Sequence, residues 1–173
     1  MSVTKAIILA GGFGTRLKPI TSIINKHLLN IYDKPLIYYP ISTVLLAGIR
    51  EILIIASKDQ INFFQTLLGN GELFGMNISY EIQNKPNGLP EAFIIGEKFI
   101  GNDPICLNLG DHILFGQGLP DLLEDTFNNF KKNTIFSLES LNTKDYGVVE
   151  FDNNRKPLRI LEKPKKTNSK NII

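Results

Sequence analysis

The chain has 173 residues, 43% of them apolar, with one cysteine, no tryptophan, and 19 Lys+Arg against 17 Asp+Glu. That size supports one domain burying roughly 70% of the unfolded chain's surface, and the composition excludes a disordered tail, a collagen and a disulfide-stapled mini-protein. The net charge of +2 is no sign of affinity for nucleic acid: residues 163–173 hold four lysines and no acid, so the rest of the chain is mildly acidic.

From the N-terminus, an apolar run extends only to Ala10, too short for a secretory core or a membrane span, and a cytosolic protein is expected. The first strand is read at Lys5–Ala10, and a helix follows at Pro40–Ala47, with Pro40 in its first turn. Next come a strand at Glu51–Ala56, a helix at Gln60–Leu68, a strand at Ile78–Glu81 and a helix at Pro90–Phe99. A strand at Ile105–Leu109 precedes a helix at Leu119–Asn129, and strands at Thr134–Leu138 and Gly147–Phe151 close the series. Gly48 and Gly69 stand where helix C-caps are expected. Three strands are nearly continuous apolar runs (AIILA, ILIIA and ICLNL), the pattern of strands buried on both faces. An α/β fold is therefore predicted: a doubly wound, mostly parallel sheet between helices, forming one domain over 1–164 with a frayed basic tail at 165–173.

In such a sheet, ligands sit at the carboxyl ends of the strands, so the loops 11–18, 83–90 and 110–116 should converge. The first carries Leu9-Ala-Gly-Gly-Phe-Gly-Thr-Arg-Leu17. Gly11, Gly12 and Gly14 let backbone amides approach a ligand, and Thr15 and Arg16 add a hydroxyl and a permanent cation, which together read as a polyphosphate cradle. Leu17 replaces the third glycine of a dinucleotide fingerprint, and no Gly-Lys-Ser/Thr follows as in a P-loop. The plain alternative is an ordinary tight turn.

Lys26 is either a solvated lysine or a second phosphate ligand, with His27 beside it in a positioning role. Asp111, directly after an apolar strand, either caps a turn or holds Mg²⁺ between phosphate oxygens. Gln83 and Gly88 either mark a turn or receive a base. Tyr146 and Gly147, with Glu162, Lys163 and Pro164, form a late cluster in which Lys163 could point at a second phosphate. Cys106, in an apolar run, reads as a buried structural thiol, and one cysteine excludes an intramolecular disulfide or a multi-cysteine zinc site. The contexts of the two histidines, His27 and His112, suggest no nucleophilic triad, and no aromatic–basic interleaving supports nucleic-acid binding.

Together these residues resemble the sugar-1-phosphate nucleotidylyltransferases, and most closely the glucose-1-phosphate thymidylyltransferases. The segments that carry the resemblance are 9–17, 32–40, 46–55, 99–103, 109–111, 146–151 and 162–164. It implies the Rossmann-like nucleotidyltransferase fold, incomplete at its C-terminal end, because chains of that family continue past Glu-Lys-Pro. It implies dTTP and glucose 1-phosphate as partners, Mg²⁺ as cofactor, homo-oligomers, and release of pyrophosphate. Leu9, Gly11, Gly12, Gly14, Thr15, Gln83 and Gly88 would bind the nucleotide, and Arg16, Lys26 and Lys163 would be the cations of the chemical step. Tyr146, Gly147 and Glu162 would meet the sugar phosphate, and Asp111 the metal. Three positions depart from the family pattern: Asn30 for Pro, Glu91 for Gln, and His112 for Asn. Nucleotide binding without turnover is the other function kept open.

Overall fold

The computed structural model describes residues 2–12, 14–85 and 87–173, and the chain divides into two compact units, 1–131 and 132–173. In the first unit, β1 (Lys5–Leu9) is followed by the short antiparallel pair β2 (Asn30–Ile31) and β3 (Lys34–Pro35), then α1 (Tyr38–Leu46) and β4 (Glu51–Ser57). After these come α2 (Ile61–Leu68), β5 (Asn77–Gln83), α3 (Glu91–Ile95), α4 (Glu97–Ile100), β6 (Ile105–Leu109) and α5 (Leu119–Asn128). The main sheet has the order β5-β4-β1-β6, every pair parallel.

Both faces of that sheet are buried, as the continuous apolar runs require. Ala6 and Ile8 of β1 and Ile52 and Ile54 of β4 pack on one side with Ile41 and Val44 of α1, Phe64 and Leu68 of α2, and Leu123 of α5. Ile7, Leu53 and Ile55 face the other way, onto Ala92 of α3 and Phe99 and Ile100 of α4. At the sheet's edge β5 is less covered, burying Ile78 while Asn77 and Ser79 are exposed.

The single helix expected over Pro90–Phe99 is instead two, parted at Gly96. Gly96 lies on the sheet: a Cβ there would stand 2.8 Å from Ile7 Cδ1 and 3.0 Å from the Ala92 carbonyl oxygen. Close packing thus selects a glycine inside an otherwise helical pattern.

The second unit is an antiparallel sheet of β7 (Leu138–Glu139), β8 (Gly147–Phe151), β9 (Pro157–Glu162) and β10 (Asn171–Ile172), in the order β7-β10-β8-β9. Two expectations are corrected here. Residues 134–137 are outside any strand, since β10 has only two residues and on that side reaches no further than Leu138 and Glu139. The tail at 165–173 is not frayed: Thr167 Oγ1 donates to Glu150 Oε1 (3.1 Å), Ser169 Oγ to the Val149 carbonyl (2.5 Å), and Ile172 is buried beside β8. Its hydroxyls and terminal isoleucines outweigh its lysines in deciding where it lies. The division into compact units at 131/132 falls inside the stretch expected as one domain over 1–164. Among the described residues no helix is long and apolar enough to cross a membrane.

Candidate functional site

Because β1, β4, β5 and β6 run parallel, their carboxyl ends share one edge, and the loops after β1, β5 and β6 meet there around a cleft of about 290 Å³. Leu9, Gly12, Lys26 and His27 line it from the first loop, Gln83, Gly88 and Leu89 from the second, and Leu109 and Asp111 from the third. The convergence expected of the three loops is therefore present. Phe13 and Pro86, which belong to the glycine and base loops, lie outside the described residues.

The glycines are shaped for the turn. Gly11 is buried with Gln83 Oε1 directly over it, where any Cβ would collide. Gly14 takes φ 59° and opens a 3-10 turn over Thr15–Leu17. Thr21 Oγ1 donates to the Gly14 carbonyl (2.7 Å) and closes the loop. Thr15 and Arg16 are exposed and are not among the residues lining the cleft; no ion pair to Arg16 is found among the described residues.

Asn25, which the motifs did not single out, brings Lys26 to the site. Its Nδ2 donates to the Ala10 carbonyl (3.0 Å), tying the returning loop to the end of β1, while its Oδ1 accepts from the His27 amide (2.9 Å). With the NH2 end of Asn25 so used, the same oxygen must also accept from His27 Nδ1 (2.5 Å), so the ring carries its proton on Nδ1. Burial, and then the Lys26 charge, push the His27 pKa down to about 4. A neutral, buried His27 is a strut, consistent with the positioning role expected of it.

Lys26 Nζ donates to Asp111 Oδ2. Burial raises the Asp111 pKa, but the hydrogen bond and charge of Lys26 outweigh it and hold the carboxyl below its ordinary value. Next to this pair, Gln83 is 4% exposed and donates through Nε2 to Glu91 Oε2 (2.6 Å). Asn87 adds donations to Glu91 from Nδ2 (2.8 Å) and from its amide (3.3 Å). The hydrogen bond from Gln83, followed by that from Asn87, holds the Glu91 pKa down. Gly88 follows at φ 100°.

Among the described residues no group of three His, Cys, Asp or Glu could enclose a metal ion. Asp111 is a single hard carboxylate with its side chain 36% exposed. That donor set fits a Mg²⁺ ion completed by substrate phosphates, since Mg²⁺ is commonly held by one or two carboxylates plus phosphate oxygens.

The late cluster gathers within the second unit. Gly147 pairs with Glu162 across β8 and β9, and the Lys163 amide donates to the Tyr146 carbonyl (3.1 Å). Lys163 sits at φ 42° with its Nζ 3.1 Å from Glu162 Oε1, and both side chains are exposed.

A family model described as nucleotidyl transferase matches residues 5–173. The glucose-1-phosphate thymidylyltransferase of Neisseria meningitidis is 50% identical over 165 residues, 95% of this chain and 57% of that protein. Its counterpart in Xanthomonas campestris is 48% identical over 169 residues, 98% of this chain and 57% of that one. The chain thus spans a little over half the length of these curated relatives. Among solved structures, a Bacillus anthracis protein assigned as a glucose-1-phosphate thymidylyltransferase superposes with a TM-score of 0.89 at 35% identity, over 98% of this chain and 68% of that one. A UDP-glucose pyrophosphorylase complexed with UDP-glucose gives 0.80 at 25% identity, over 98% and 73%.

Proposed function

The chain belongs to the nucleotidyl transferase family, and from that premise we propose that it joins dTTP to glucose 1-phosphate and releases pyrophosphate. The observation that carries the reading is the cleft in which the glycine loop, Lys26, Asp111 and Gln83 meet at the ends of parallel strands. In the proposed reaction a phosphate oxygen of the sugar attacks the α-phosphorus of the nucleotide. An O–P bond forms there as the bond to the β-phosphate breaks, and the electron pair leaves with pyrophosphate.

Such a displacement needs alignment and charge neutralisation more than a protein nucleophile. The proposed roles follow from the side chains. Backbone amides of Gly11, Gly12 and Gly14, with Thr15 and Arg16, hold the triphosphate; Leu9, Gln83 and Gly88 hold the nucleoside. Lys26, paired with Asp111 without ligand, exchanges that carboxylate for phosphate oxygens and neutralises charge as it develops. Tyr146, Gly147 and Glu162 receive the sugar phosphate, and Lys163 supplies the second cation. Mg²⁺, held by Asp111 and the phosphates, would supply further charge neutralisation.

Calorimetry with Mg²⁺–dTTP tests the binding half. Arg16→Ala should weaken affinity by about tenfold or more, the scale of one charge-assisted contact, and equal affinities would contradict the assignment. Pyrophosphate release on adding glucose 1-phosphate tests the chemical half. Binding without release would make the chain a nucleotide-binding protein without turnover.

A further inference from the structure

The Lys26 side chain crosses the glycine loop: a Cβ at Gly14 would stand 3.1 Å from Lys26 Cβ, and one at Gly12 3.8 Å from Lys26 Nζ. That same Nζ donates to Asp111 Oδ2, and both residues line the cleft. One ammonium thus stands beside the loop that would meet phosphate and against the carboxylate that would meet a metal ion. The two side chains are only 22% and 36% exposed, so solvent screens the pair incompletely. A dication brought to Asp111 must therefore displace the ammonium or bear its repulsion. Among the described residues no group of three His, Cys, Asp or Glu stands there to hold the ion in spite of the lysine.

We propose that the Lys26–Asp111 ion pair is a latch that keeps free divalent cations off Asp111, so that the cleft takes its metal only together with a polyphosphate. Phosphate oxygens arriving at the glycine loop draw the ammonium onto themselves, and Asp111 Oδ2 is released in the same exchange to a metal ion that those phosphates carry. This rests on the proposed nucleotide reading of the cleft and deepens it, by setting the form in which the metal enters. The coupling is reciprocal. Without metal, Asp111 competes with phosphate for Lys26 and opposes nucleotide binding; with metal, the same carboxylate supports it.

The first probe is Mn²⁺ alone, titrated into the full chain and followed by the paramagnetic resonance signal of the free ion. Lys26→Met should bind Mn²⁺ about tenfold or more tightly than wild type, the scale of a charge-assisted hydrogen bond that no longer has to be broken. Lys26→Arg, which keeps a cation at the carboxylate, should stay near wild type, and adding Asp111→Asn to Lys26→Met should abolish the gain. Equal affinities in wild type and Lys26→Met, or a gain that survives Asp111→Asn, overturn the latch. A second arm leaves Lys26 in place. In calorimetry with dTTP and EDTA, Asp111→Asn should bind about threefold or more tightly than wild type, the smaller scale of a partly exposed ion pair. With Mg²⁺ present the order should reverse, and the same order in both conditions also overturns the latch. Failure of wild type to bind Mg²⁺–dTTP overturns the proposed function, while the Mn²⁺ arm, which uses no nucleotide, decides the latch separately.

Discussion

Cys106 is aligned with Ala6 in the pairing of β1 with the edge strand β6, and burial pushes its thiol from an ordinary pKa of 9.0 up to about 11. Between those values the unfolded chain loses the proton that the folded chain keeps. Stability tied to Cys106 is therefore intact below pH 9 and lost as pH rises toward 11. Denaturant melts of wild type and Cys106→Val at pH 8 and pH 10.5 should show wild type losing relative stability at the higher pH; a constant difference would refute the burial argument. The structural role of this thiol was legible because it lies in an apolar run. Asn25 was not, because its work depends on a carbonyl 15 residues away at the end of β1. Glu91 was legible only as a departure, since its partners Gln83 and Asn87 come together through the fold of a loop.

At the level of elements, β1 and β4 were legible because burial on both faces leaves an unmistakable apolar run, and β6, which is mostly half-buried, because its run is nearly as apolar. What failed was pairing that depends on distant chain. Residues 134–137 are β-prone but lie outside any strand, while β9 begins with a proline and leaves Leu158 and Ile160 more than half exposed, so its pattern does not announce a strand. Two glycines separate folding from binding. Gly96→Ala drives a Cβ into Ile7 and the Ala92 carbonyl and should cost about 1–3 kcal/mol in melts, with nucleotide affinity little changed. Gly11→Ala drives its Cβ into the Gln83 carbonyl instead, displacing an amide that lines the cleft. It should weaken Mg²⁺–dTTP binding by about tenfold or more, a loss of the size expected when a buried polar contact is broken. Equal affinity losses in the two variants would mean that Gly11 serves packing alone.

Across the whole molecule, the two units carry different proposed ligand groups: the cleft residues all belong to 1–131, and Tyr146, Gly147, Glu162 and Lys163 all belong to 132–173. A ligand stabilises the state that binds it, by about 2.7 kcal/mol at a hundred times Kd. Amide exchange reports where that free energy is felt, because regions open with their own local free energies. Mg²⁺–dTTP should therefore slow exchange along β1, β5 and β6, whose carboxyl ends form the cleft, and leave β8 and β9 largely unchanged. Glucose 1-phosphate alone should act on the other unit, slowing the Lys163 amide that donates to the Tyr146 carbonyl. Protection of β8 and β9 by dTTP equal to that of the parallel sheet would show that the chain opens as one cooperative body, and the division of the substrates between the units would then have to be abandoned.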